Sequence, residues 1–147
     1  MYQDWLANSA VVAGTAAAVC ASVLLHYEGL FFTSQGLSRL GGRRRIKVLY
    51  AIASVLVLHV LEIWLFGLAL WLLLLMPASG ALVPGPQHML DHIYFSAITF
   101  TTVGFGDMVP SGPIRFLSGM EALTGFVLIA WSASFTYLEM ERFWRTS

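Results

Sequence analysis

The chain has 147 residues, 58% of them hydrophobic and 11% charged, and its eight Lys and Arg balance eight Asp and Glu. Soluble domains carry about 25% charged residues, so this composition excludes an ordinary soluble enzyme and places the chain in a lipid bilayer. Zero net charge offers no basic surface for nucleic acid, which is not expected as a partner, and the lone cysteine, Cys20, excludes an intrachain disulfide.

Residues 1–33 read as an N-terminal transmembrane unit. Its apolar segment, 10–32, has the roughly 20 residues a helix needs to cross a hydrocarbon core about 30 Å thick. The leader MYQDWLANS carries Asp4 and neither Lys nor Arg, the reverse of a secretory signal, so the span is expected to be retained. Ala10, Gly14, Ala17, Ala18 and Ala21 recur at three- and four-residue spacing, which predicts close packing on another helix.

Residues 34–47 form a basic loop containing Arg39, Arg43, Arg44, Arg45 and Lys47. Arg142 and Arg145 lie in a short tail, 139–147, and only Arg115 is elsewhere. The positive-inside rule then makes loop and tail cytoplasmic, with the N-terminus and residues 77–113 outside. Arg43, Arg44 and Arg45 also suit contact with anionic lipid.

The second apolar segment, 48–76, is rich in Leu and Trp and would run about 43 Å as an ideal helix, so it tilts or projects. His59 and Glu62 stand one turn apart near its middle, while His26 and Glu28 lie in the inner half of the first span. Ionisable groups at such depth face protein or water. A proton-sensitive gate is one reading; internal pairing that pins the first span to the second is the preferred one.

The stretch PASGALVPGPQHM, with three prolines and two glycines, reads as an irregular loop. Asp91 offers an N-cap to a helix at 91–101, too short to cross the bilayer. Val103-Gly104-Phe105-Gly106 follows, and non-helical backbone at membrane depth is tolerated only inside protein or against water. Rings of backbone carbonyls can replace the hydration shell of a potassium ion. Gly104 and Gly106 permit the alternating dihedrals that turn successive carbonyls to one side. Val103 and Phe105 would pack behind them, and the Thr102 hydroxyl would add an oxygen ring at the inner end. The short helix directs the negative end of its dipole toward the same place. One chain supplies one strand of such a wall, so several copies must surround an axis.

The third span, 114–138, places Thr124, Leu128, Ser132 and Thr136 at i, i+4 steps on one face. That face either lines a wet cavity or packs through its hydroxyls. Glu121 falls level with the glycine-containing stretch and is expected to brace it through Tyr94, Ser96 or Thr99.

TTVGFGD, after YFSAITF and before MVPSGPIRF, resembles the pore loop of the tetrameric potassium channels. The resemblance covers residues 48–138 and implies an all-α membrane protein: outer helix 48–76, re-entrant pore helix 91–101, selectivity filter 102–107 and inner helix 113–138, behind an extra N-terminal transmembrane helix. It implies a homotetramer around a central pore in the lipid bilayer of the plasma membrane. Potassium, as permeant ion and not as cofactor, would bind at Thr102, Val103, Gly104 and Phe105, with Gly106 completing the row. Thr101, Asp107 and Glu121 would support the filter, and Thr124, Gly125, Leu128 and Ser132 would stand at cavity or gate, Gly125 near the family's hinge glycine. Phe105 replaces the commoner tyrosine, and neither a voltage-sensing set of spaced arginines nor a regulatory domain is visible.

GFGD also fits the G-x-G-D signature of intramembrane aspartyl proteases, but those need two membrane-embedded aspartates. The aspartates here are Asp4, Asp91 and Asp107, none within a predicted span. A nonselective cation channel of the same fold and a non-conducting accessory subunit are the alternatives. Orientation is checked with Gln3→Cys and Thr146→Cys in a Cys20→Ser background: an impermeant thiol reagent outside the cell should label the first and spare the second. Labelling of both would remove the three-span topology.

Overall fold

The structure, a computed structural model, describes residues 5–40 and 44–145, with side chains through residue 142. In chain order it contains α1 (Trp5–Arg39), α2 (Arg44–Leu74), a 3-10 turn (Pro77–Ser79), β1 (Ala81–Val83), α3 (Met89–Phe100), β2 (Val109–Ser111) and α4 (Arg115–Arg145). Three helices are long and apolar enough to cross a membrane: Trp5–Arg39, Arg44–Leu74 and Arg115–Arg142. The 12 residues of α3 reach only about 18 Å, which is too short.

The long helices overrun their apolar segments. α1 continues through the polar SQGLSR to Arg39, α2 begins at Arg44 within the expected loop, and α4 continues through Glu139, Glu141 and Arg142 to Arg145. Hydropathy marks what lies in lipid, whereas a helix ends where its hydrogen bonding ends, and Glu and Arg favour continuation. Arg43, of the suggested lipid-contact trio, lies outside the described residues; Arg44 and Arg45 are exposed at the start of α2.

α1 is buried along one stripe: Ala7, Val11, Thr15, Ala18, Ser22, His26, Leu30, Thr33 and Leu37. The small-residue face expected to pack is therefore rotated. Ala18 is buried and Gly14 half-buried, but Ala17 and Ala21 are exposed. Two threonines can serve in the seam because each returns its hydroxyl to its own helix, Thr15 to the Val11 carbonyl at 2.7 Å and Thr33 to that of Gly29 at 2.8 Å, so neither hydroxyl needs a partner across the contact. Halfway along, His26 of α1 meets Glu62 of α2 at 2.7 Å, and His59 meets the same carboxylate at 2.8 Å. The first span is thus pinned to the second, while Glu28 is exposed and apart from the cluster.

The core of the opposite half gathers Phe66, Leu70, Phe95, Ile98, Phe100, Ile114, Leu117 and Leu128 around α3. Glycine lets backbones close in at two points. A Cβ on Gly67 would meet Ile93, and one on Gly125 would overlap the Phe100 carbonyl. α3 is thereby held between α2 and α4, and Gly125, expected as a hinge, is a close-packing residue within the chain.

Two features tie the excursion between α2 and α4 at its base. β1 and β2 pair antiparallel, Ala81 with Ser111, Leu82 with Pro110 and Val83 with Val109. Ser79 donates its hydroxyl to the Leu73 carbonyl at 2.6 Å and accepts the Ile114 N–H on its own carbonyl at 2.8 Å. α3 starts at Met89 with His88 as N-cap, so Asp91 is three residues inside the cap. Its carboxylate reaches back to the N–H groups of Gln87 at 2.6 Å and His88 at 3.0 Å. The His88 and Gln87 amides hold the Asp91 carboxyl below the usual carboxylate range. The cap's contribution is therefore full above the unfolded value of about 3.9 and is lost as pH falls through the lower folded one.

Gly125→Ala should force α4 off the Phe100 carbonyl and destabilise by about 1–3 kcal/mol, as overpacking does. Thermal unfolding of the purified protein in detergent measures it, and an unchanged midpoint would contradict the close approach.

Candidate ion-conducting segment

α3 ends by tightening. Thr101 donates its N–H to the Ala97 carbonyl at 3.1 Å, Thr102 to Thr99 at 2.9 Å, and Gly104 folds back to Ile98 at 3.0 Å. The Thr101 hydroxyl also returns to Ala97, at 2.7 Å. From there the backbone alternates in hand: φ is +60° at Thr102, +53° at Gly104 and +77° at Gly106, with Val103 and Phe105 between them outside the left-handed region. Glycine takes this conformation without penalty. Thr102 does not, and a left-handed residue with a Cβ costs about 1–2 kcal/mol, strain that persists only where the surroundings hold it.

The segment is bare. All residues from Thr101 to Asp107 are exposed, Val103 at 56% and Phe105 at 72%. A Cβ on Gly104 or Gly106 would meet nothing within 4 Å. The expected packing of Val103 and Phe105 behind the carbonyls is incomplete within one chain, which leaves both side chains more than half exposed.

What the chain does supply is anchorage. The Tyr94 hydroxyl donates to Asp107 Oδ2 at 2.6 Å, tying the far end of the segment to the side of α3. Deeper in, the Ser96 hydroxyl lies 2.8 Å from the Ile63 carbonyl and 2.5 Å from Glu121 Oε1. A hydroxyl owns one proton and a carbonyl can only accept. With both bonds made, Glu121 must supply the second proton, and the series runs from the Glu121 carboxyl to Ser96 to Ile63. One side chain on α3 thereby joins α4 to α2. Of the three partners expected for Glu121, Ser96 bonds it, Tyr94 is committed to Asp107, and Thr99 makes no side-chain bond among the described residues.

The expected cavity face of α4 points the other way. Thr124, Leu128 and Ser132 are 7%, 1% and 3% exposed within a single chain. Leu128 belongs to the core. Thr124 returns its hydroxyl to Met120 at 2.7 Å, and Ser132 lies 3.4 Å from His26 Nε2. Of the two readings of the hydroxyl stripe, packing inside the bundle holds for Thr124 and Ser132 within one chain. The open face of α4 presents Leu123, Phe126, Val127 and Tyr137 instead. The Tyr94–Asp107 bond and the strand pair had no local signal, since each joins residues distant in sequence.

The proton count at Ser96 has a measurable consequence. Glu121→Gln keeps a donor for Ser96 and should unfold thermally close to the parent, whereas Glu121→Ala leaves a cavity and should cost about 2–4 kcal/mol. Equal loss in both variants would contradict the donor role.

The family model described as an ion channel matches residues 46–140, from the first turn of α2 through α3 and the bare segment into α4, with α1 outside the match. No curated protein and no solved structure matches the chain. With the match covering more than half of the sequence and three helices able to cross a bilayer, the chain is an integral membrane protein that belongs to the ion-channel family.

Proposed function

We propose that the chain forms a potassium-selective channel, a homotetramer in which the Thr102–Gly106 segments of four copies surround the pore. The observation that carries this reading is the alternation of left-handed φ at Thr102, Gly104 and Gly106 over a backbone that the chain itself leaves uncovered. Alternation directs successive carbonyls to one side, where rings from four copies can take the place of ion hydration. Carbonyls of Thr102, Val103, Gly104 and Phe105 hold the ions, over about 12 Å at roughly 3 Å per residue, with Gly106 closing the row at its mouth. Val103 and Phe105 then pack against neighbouring chains. Asp107 through Tyr94, Thr101 through its cap and Glu121 through Ser96 keep the strand in place.

The C-terminal end of α3 aims its partial negative charge toward the inner side of this row, which favours a waiting cation. Basic residues orient the protein in the plasma membrane with the α1–α2 connection and the C-terminal tail cytoplasmic and the N-terminus outside. Arg43, Arg44 and Arg45 then meet the anionic inner leaflet.

Flux through the purified protein in liposomes tests the reading. Potassium should pass, sodium largely should not, and barium, doubly charged and similar in size to potassium, should block. Gly104→Ala should abolish selective flux while leaving the fold intact, since its Cβ would meet no atom of the same chain and only the left-handed backbone is penalised. Equal passage of sodium and potassium would replace the reading with a nonselective channel. A Gly104→Ala protein that selects like the parent would remove the segment from the pathway.

A further inference from the structure

Away from the conducting segment, one set of ionisable side chains lies inside the bundle. Glu62, 0% exposed, stands between Nδ1 of His26 from α1, 2.7 Å from Oε1, and Nδ1 of His59 from its own helix, 2.8 Å from Oε2. The three donor atoms lie within 4.8 Å of one another. α4 closes the cluster with Trp131, whose ring centroid is 5.1 Å from that of His26, and with Ser132. The end of α3 closes it with Phe100, 5.8 Å from His59. Among the described residues, the titratable groups that act on Glu62 are these two histidines. A carboxyl at such depth needs polar partners, and here both of its oxygens meet imidazole nitrogens.

We propose that His26, His59 and Glu62 form a binding site for a divalent transition-metal ion of the zinc class. Two imidazole nitrogens and one carboxylate oxygen, converging from two helices, are the donor set such ions select, with a fourth position left for water. Bonds of about 2.0–2.2 Å in tetrahedral array put ligand atoms about 3.3 Å apart; the two nitrogen–oxygen contacts, each to a different carboxylate oxygen, would open by about half an ångström, and the widest ligand separation, up to 4.8 Å, would close toward that spacing. Coordination through Nδ1 moves each imidazole's proton to Nε2. For His26 that position faces Ser132 Oγ at 3.4 Å, an outer partner of the kind that orients metal-bound histidines. Access is available on the His59 side: its side chain is 15% exposed and, with Leu56, Ile129, Ser132 and Thr136, it lines a groove of about 410 Å³ between α2 and α4. The bound ion joins α1, which lies outside the ion-channel match, to α2 directly beneath Phe100, the residue from which the bare segment departs. This inference is independent of the potassium reading.

The test uses the full chain in detergent, stripped with a chelator and titrated with cobalt(II). Four-coordinate cobalt should appear as visible absorption bands, saturating at one ion per chain and lost on adding zinc. His59→Ala should weaken the binding at least about 100-fold. His88→Ala should leave it unchanged, since His88 and His92, the other two of the chain's four histidines, lie outside the cluster. Absence of the bands in the parent, their survival in His59→Ala, or their loss in His88→Ala would overturn the site. Should His59→Ala fail to give a monodisperse protein, X-ray absorption of the zinc-loaded parent decides: imidazole scattering from two ligands supports the site, and an all-oxygen shell overturns it.

Discussion

Bare backbone at membrane depth is the constraint around which the molecule is arranged. A peptide group in hydrocarbon without a partner costs several kcal/mol, and the stretch from Thr101 to Asp107 leaves its backbone and two large apolar side chains uncovered. Such a segment is stable only when something outside the chain completes it. In the proposed tetramer, neighbouring copies would cover Val103 and Phe105 on one side, and ions with ordered water would satisfy the carbonyls on the other. Strain at Thr102, left-handed with a Cβ, makes the same demand, because it must be held by what surrounds it.

The rest of the chain sets the position and angle of α3. Glycines at 67 and 125 admit the short helix between α2 and α4 at distances a Cβ would forbid. Ser96 then bonds to both sides of it, to the Ile63 carbonyl and to Glu121. The strand pair and Ser79 close the base of the excursion, and Tyr94 fixes its far end through Asp107. The contacts of Ser79 and Ser96 are buried, whereas the strand pair and the Tyr94–Asp107 bond lie at the surface.

Much of this was legible in the sequence because it follows from solvent and from backbone geometry. Long apolar runs gave three spans, a short one gave a helix that cannot cross, and glycine at alternate positions announced left-handed dihedrals at 104 and 106. Helix ends were not legible, since SQGLSR and EMER are polar yet continue their helices. Nor was the direction of the hydroxyl stripe. Thr15, Thr33 and Thr124 bond carbonyls of their own helices, which lets a threonine sit in a dry seam and removes the contrast between wet and packed faces. Asp91 capped from inside the helix instead of before it, because a carboxylate three residues in can reach back to the amides of His88, the N-cap, and of Gln87 before it. Pairings across long sequence separations, Tyr94 to Asp107 and Leu82 to Pro110, depend on the assembled bundle and leave no local trace.

The central claim is that the bare segment is completed by copies of itself. Electron cryomicroscopy of the protein in lipid nanodiscs tests it most directly. The expected result is a ring of four chains, with Val103 and Phe105 buried between them and the carbonyls of Thr102 to Phe105 facing the axis. A single chain with the segment open to lipid, or an assembly in which those carbonyls face protein, would contradict it.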